Sequence, residues 1–147
     1  MNKRRGTFRR SVGGSDGFTL LELLVVMVII GLLAAFVGPR YFSQIGKSEV
    51  KSTKAQMDAL EKALDQYRLD VGKYPATEQG LVALVSRPAN EAKWDGPYLK
   101  KTVPADPWGG QYSYKFPGEH NNEFDLWSFG KDGQPGGAGA NEDIQNW

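Results

Sequence analysis

The chain has no cysteine among its 147 residues and a single histidine, His120. The first absence excludes disulfide bonds, thiolate metal centres and a cysteine nucleophile. The second leaves no pair of imidazoles for a zinc site, and no recognisable motif pairs His120 with a serine nucleophile. Neither a phosphate-binding loop nor a dinucleotide fingerprint occurs. His120 lies in a polar stretch, where a solvated side chain is the expectation, and Asp58, Glu61 and Asp65 read as the solvated face of a helix. These absences point away from bond chemistry. A small domain without bridges must hold its loops by packing, by assembly or with a metal ion.

Positive charge is scarce once its location is considered. The net charge is +1, but Lys3, Arg4, Arg5, Arg9 and Arg10 stand against Asp16 alone in the first 17 residues. Beyond Gly17 there are 13 basic and 16 acidic residues. The body is mildly acidic, so nucleic acid is not an expected partner, since binding a phosphate backbone needs a lasting basic surface.

Charge of either sign is almost absent from Phe18 to Gly38, where Glu22 is the only ionisable side chain in 21 residues. As a helix this run is about 31 Å long, enough to cross the roughly 30 Å hydrocarbon core of a bilayer. The basic residues before it stay cytoplasmic under the positive-inside tendency, which places the remainder outside the inner membrane. Glu22 is costly there, at about 2.5–3.5 kcal/mol for a carboxylate at the centre of a span and less near its end. Gly17 stands before the run rather than after it, unlike the cleavage site of a secretory signal. Cleavage at Gly17 would keep the apolar helix and create an α-amine on Phe18. An amine close to Glu22 in low dielectric, from its own chain or a neighbour, offsets the desolvation of the carboxylate and can set register between stacked chains.

Past Gly38-Pro39, where proline can kink or unwind a helix, Ile45, Val50, Met57, Leu60, Leu64, Tyr67 and Val71 recur mostly at spacings of three, four and seven. That pattern predicts one helix from Phe18 to Val71, apolar in its first half and amphipathic in its second. Asp58–Lys62 and Glu61–Arg68 supply opposite charges on one side. Gly72 is the expected C-cap and Pro75 the stop. Gly31, Ala34, Ala35 and Gly38 offer small faces for close helix contact. A short helix is expected from Thr77, its cap, to Val85. The stretch from Pro88 to Pro107 is irregular, with Trp94, Tyr98 and Trp108 as anchors over the long helix. Residues 111–116 and 123–129 read as an antiparallel pair joined by the loop 117–122. The predicted class is therefore α+β, a long helix packed on a small antiparallel sheet.

The segment from Phe129 to Gly137 is rich in glycine, and Asp132, Glu142 and Asp143 supply hard oxygen ligands nearby. Calcium takes such ligands, although the loop lacks the alternation of an EF-hand. An ordinary acidic surface loop is the other reading.

Gly17-Phe18-Thr19-Leu20-Leu21-Glu22, followed by the apolar run to Gly38, resembles the signal of type IV pilins and pseudopilins. Lys73-Tyr74-Pro75, Asp106-Pro107-Trp108-Gly109 and Asp125-Leu126-Trp127-Ser128 are similar to the major pseudopilins of type II secretion. The resemblance implies a pilin-like fold. It implies cleavage between Gly17 and Phe18 by a prepilin peptidase, N-methylation of Phe18, and assembly through Glu22 and Phe18. Residues 1–17 are then a leader, 18–38 a transmembrane and assembly helix, and 39–147 a periplasmic head with a Gly-rich C-terminal loop. The resemblance further implies one calcium ion, held by the carboxylates of Asp132 and Asp143 with Leu126 and Ser128 as carbonyl donors. The implied function is the major subunit of a periplasmic pseudopilus that drives export of folded proteins across the outer membrane. The implied partners are copies of itself, minor pseudopilins, the peptidase and inner-membrane assembly-platform proteins. The alternatives are a major or minor subunit of a type IV pilus, or a signal-anchored extracytoplasmic binding module.

Overall fold

The computed structural model describes residues 17–120 and 122–147. They fall into two units, one ending at Arg40 and the other running from Tyr41 to Trp147; residues 1–16, where the expected leader falls, lie outside the described set. One helix, α1, spans Leu20–Val71 and remains helical through Pro39. In the first unit every side chain from Leu20 to Val37 is exposed, and no polar face interrupts the apolar surface. This run is long and apolar enough to cross a membrane.

In the second unit α1 becomes one-sided. Thr53, Met57, Leu60, Ala63, Leu64 and Tyr67 are buried, the stripe that a 3.6-residue period dictates. Thr53 enters the core by donating its hydroxyl to the Glu49 carbonyl at 3.0 Å, which satisfies the polar atom locally. The helix ends where Gly72 donates its N–H to the Arg68 carbonyl at 2.7 Å.

Three short strands cover the stripe: β1 (Ser113–Lys115), β2 (Asp125–Ser128) and β3 (Ile144–Gln145). They form one antiparallel sheet in the order β1-β2-β3. Tyr114 faces Leu126 across the first ladder, and both side chains are buried. The core joins Leu60, Leu64 and Tyr67 of the helix to Leu84, Tyr114, Phe124, Leu126 and Ile144. Full burial of each such leucine contributes about 1.5–3 kcal/mol.

β1 and β2 are shorter than the alternation predicts because partners outside the ladder capture the outer backbone groups. The Phe116 N–H donates to the Thr77 hydroxyl at 3.0 Å, and the Glu123 carbonyl accepts from Gly118 within the connecting loop. Thr77 is therefore not a helix cap. Its hydroxyl also donates to the Phe116 carbonyl at 2.9 Å, fastening the chain after Pro75 to the end of β1. The expected helix shrinks to one 3-10 turn, Leu81–Leu84, behind Gly80 at φ +57°, a conformation that an α-helix does not accommodate. Glu61–Arg68 does not form either: Arg68 pairs with Glu123, while Lys62 pairs with Asp58 as expected.

The irregular stretch is pinned where its aromatics predict. Trp94 Nε1 donates to the Ala83 carbonyl at 2.8 Å, and Tyr98 meets Tyr67 edge-on at 5.6 Å. Trp108 Nε1 reaches across to Glu49 Oε2 of α1 at 3.0 Å.

Candidate assembly and metal sites

Glu22 sits in the first turn of α1 and is engaged by Thr19. The carboxylate oxygen Oε2 accepts from the Thr19 N–H at 2.8 Å and from the Thr19 hydroxyl at 2.9 Å. In return the Thr19 hydroxyl accepts from the Glu22 N–H at 3.2 Å. This is a reciprocal capping box, which satisfies orphan donors at the helix start. The positive end of the helix dipole adds to it. A carboxylate that looks isolated in the sequence thus has a partner three residues away. The Thr-x-x-Glu spacing was the signal for it, and Thr19 is the functional side chain that the sequence analysis passed over. Phe18 precedes the box and is 82% exposed.

At the other end of the chain, Asp132 and Asp143 hold the same loop. Asp132 Oδ1 accepts from the Gln134 N–H at 3.2 Å. Asp143 Oδ2 accepts from the Gly136 N–H at 2.9 Å. The loop lies hard against the segment 141–143: a Cβ on Gly137 would run into the Asn141 carbonyl, and one on Gly130 would stand 2.7 Å from the Glu142 carbonyl oxygen. Only glycine permits that approach. Asp143 Oδ1 is buried and has no hydrogen-bond partner. A sequestered carboxylate oxygen of this kind is costly until a cation or water meets it. Among the described residues no group of three or more His, Cys, Asp or Glu is placed to hold a metal. A cation in this loop must therefore complete its coordination with backbone carbonyls and water, which calcium does readily.

Leu126 and Ser128 occupy β2, both fully buried. The Leu126 carbonyl accepts from the Asn146 N–H at 3.1 Å. The Ser128 hydroxyl donates to Asp106 Oδ2 at 2.6 Å. Glu142 is exposed.

Two further carboxylates organise the loops around the sheet. Buried Asp106 accepts through Oδ1 from the N–H groups of Trp108 at 3.1 Å and Gly110 at 2.6 Å. Asp125 accepts through Oδ2 from the Glu119 N–H at 2.8 Å and lies 2.9 Å from His120 Nδ1. Burial works to raise the Asp125 pKa, but the Glu119 amide and the His120 ring and amide outweigh it and hold the carboxyl below its usual range. His120 is exposed, as its polar neighbourhood suggests, with 48% of its side-chain surface open to solvent. It stacks on Trp147 with ring centres 4.0 Å apart and planes within 4°.

The family model described as "Type II secretion system (T2SS), protein G" matches residues 40–147. The model described as "Prokaryotic N-terminal methylation motif" matches residues 14–38. The chain is 46% identical to the type II secretion system core protein G of Vibrio cholerae, over 89% of this chain and 90% of that protein. It is 47% identical to the protein of the same name from Pseudomonas aeruginosa, over 90% and 94%. Among solved structures it is similar to the major pseudopilin of the type 2 secretion system of enterohaemorrhagic Escherichia coli. That match has 42% identity and a TM-score of 0.57, covering 69% of this chain and 88% of the other.

Removing the Thr19 hydroxyl should loosen the start of α1. A lost N-cap costs about 0.5–2 kcal/mol, so Thr19→Ala should speed amide hydrogen exchange at Glu22 by about 2- to 30-fold in the full chain in micelles. Unchanged protection would show that the box contributes nothing.

Proposed function

This chain belongs to the type II secretion system protein G family, and we propose that it polymerises through its apolar helix into a periplasmic pseudopilus that drives folded proteins across the outer membrane. The observation that carries the proposal is the helix surface from Leu20 to Val37, exposed on every side with one carboxylate in its first turn. No part of the head is needed to explain that surface. Lipid covers it in the inner membrane, and the same helix of neighbouring copies covers it in a filament.

Glu22 then acts as the register key. A peptidase cut between Gly17 and Phe18 leaves an α-amine on Phe18, which N-methylation keeps cationic. The carboxylate of one copy and the amine of the next attract strongly in low dielectric, and a wrong axial step leaves both charges unpaired. The pair selects position more than it adds net affinity. Thr19 holds the carboxylate at the helix start until that partner arrives. The prepilin peptidase, minor pseudopilins and platform proteins of the inner membrane are the further partners of this reading. The protein itself performs no bond chemistry.

The C-terminal loop is the second part of the proposal. Asp132 and Asp143 would hold a calcium ion, with Leu126 and Ser128 as carbonyl donors. The ion supplies positive charge to the buried Asp143 oxygen and closes a terminus that has no disulfide. Because these ligands are spread from residue 126 to residue 143, such an ion would need the folded loop to bind, and binding would add to folding stability.

Two outcomes test the two parts. Glu22→Ala should leave leader cleavage within about twofold of wild type while lowering filament yield by about tenfold or more, the equivalent of about 1.4 kcal/mol per subunit. Normal filaments from this variant would refute the register role. With calcium at about 100 times its Kd the ion contributes about 2.7 kcal/mol. Chelation should then lower the Tm of the head, residues 41–147, by roughly 10–20 °C for a domain of this size. Asp143→Ala should abolish that chelator response. A Tm unaffected by chelator would remove calcium from the account.

A further inference from the structure

Few large apolar side chains of the second unit face solvent. Apart from Tyr41, Phe42 and Ile45 at its beginning and Trp147 at its end, those among the described residues are Leu69 and Val82. Leu69 is 78% exposed. It lies on the side of α1 opposite the buried Leu60, Leu64 and Tyr67, in line with Asp58, Lys62 and Asp65. It touches nothing in the core, and an exposed helix position does not require leucine.

Elsewhere on the same unit there is a pocket of about 290 Å³, walled by Leu81, Val82, Val103, Pro104, Tyr112 and Tyr114. None of its lining comes from α1, so Leu69 of the same chain cannot fill it. The surroundings of the two features differ in charge. Asp65 lies one turn before Leu69, Asp70 directly follows it, and Glu61 stands further along the same side. Partial burial and the neighbouring charges of Asp58 and Asp65 raise the Glu61 pKa, as crowding of like charges does. Lys100 and Lys101 are exposed just ahead of Val103 at the pocket.

We propose that Leu69 of one copy seats in the Val82–Val103–Tyr112 pocket of the next, with the acidic side of α1 against Lys100 and Lys101. The occupant is a second copy because one chain carries both the projecting side chain and the cavity, at places that cannot meet within it. A contact between two different patches of identical subunits is heterologous, and it repeats without closing when its rotation does not complete a ring. A filament needs that kind of contact. The inference rests on the polymerisation proposed above and names the surfaces by which heads meet.

The absence of cysteine makes the test clean. Full-length chains carrying Leu69→Cys and Val82→Cys together, expressed with the rest of their secretion system, should give a ladder of dimers, trimers and longer species with a short thiol–thiol cross-linker. Each single substitution should leave most of the chain monomeric. Filaments of the double variant that yield only monomers overturn the contact while leaving polymerisation intact. Dimers from Leu69→Cys alone overturn it as well, because they show two equivalent faces meeting. If the wild-type chain forms no filament, the polymer reading falls and this inference with it. As a second measurement, Leu69→Asp should lower filament yield about tenfold with the unfolding temperature of the full chain unchanged. Wild-type yield from Leu69→Asp would contradict the proposal.

Discussion

A carboxylate in an apolar helix must find positive charge, and this requirement governs the first third of the chain. Glu22 has two sources at hand before any second molecule is present. The Thr19 amide and hydroxyl meet it directly, and the helix start supplies the positive end of a dipole. Both are partial charges. They lower the cost of the carboxylate without neutralising it, so a full cation remains the better partner. The proposed processing at Gly17–Phe18 would create that cation next to the helix start. The same helix can therefore rest in a bilayer and still prefer one register against another copy.

The head answers a different constraint, the lack of any covalent clamp. Its sheet has only nine residues in three strands, too few to hold the connecting loops by ladder bonds alone. Buried carboxylates take over part of that task. Asp106 gathers a turn and fixes Ser128 of β2, while Asp125 gathers the hairpin loop and orients His120 beneath Trp147. Asp132 and Asp143 hold the last loop in the same manner. Asp143 Oδ1 and Asp125 Oδ1 are both buried without a hydrogen-bond partner, and it is the Gly-rich loop around Asp143, held by Asp132 as well, that distinguishes the C-terminal site.

The long helix was legible because its signals are local and repeated: an unbroken apolar run, then a periodic stripe, then Gly72 and Pro75. Its first residue was less so, since Thr19 caps from outside and the helix begins at Leu20 rather than Phe18. The two longer strands were legible from alternation, but β3 was not. Two residues, Ile144 and Gln145, form no period, and they pair only because the loop before them folds back. Thr77 was misread as a cap and the stacking partner of the exposed His120 was not legible, for a common reason. Each is polar beside polar neighbours, and its role depends on a partner, Phe116 or Trp147, far along the chain. Among the site residues, Glu22 and the two aspartates stood out by chemistry, whereas the commitment of Ser128 to Asp106 required the fold.

The central claim is that the partner of Glu22 comes into being through processing. Intact-mass and N-terminal mass spectrometry of the chain isolated from membranes reads this directly. The account predicts a polypeptide that lacks residues 1–17 and begins with N-methylated Phe18. A mature chain that still begins at Met1, or one cut beyond Gly38 so that the apolar helix is lost, would contradict it.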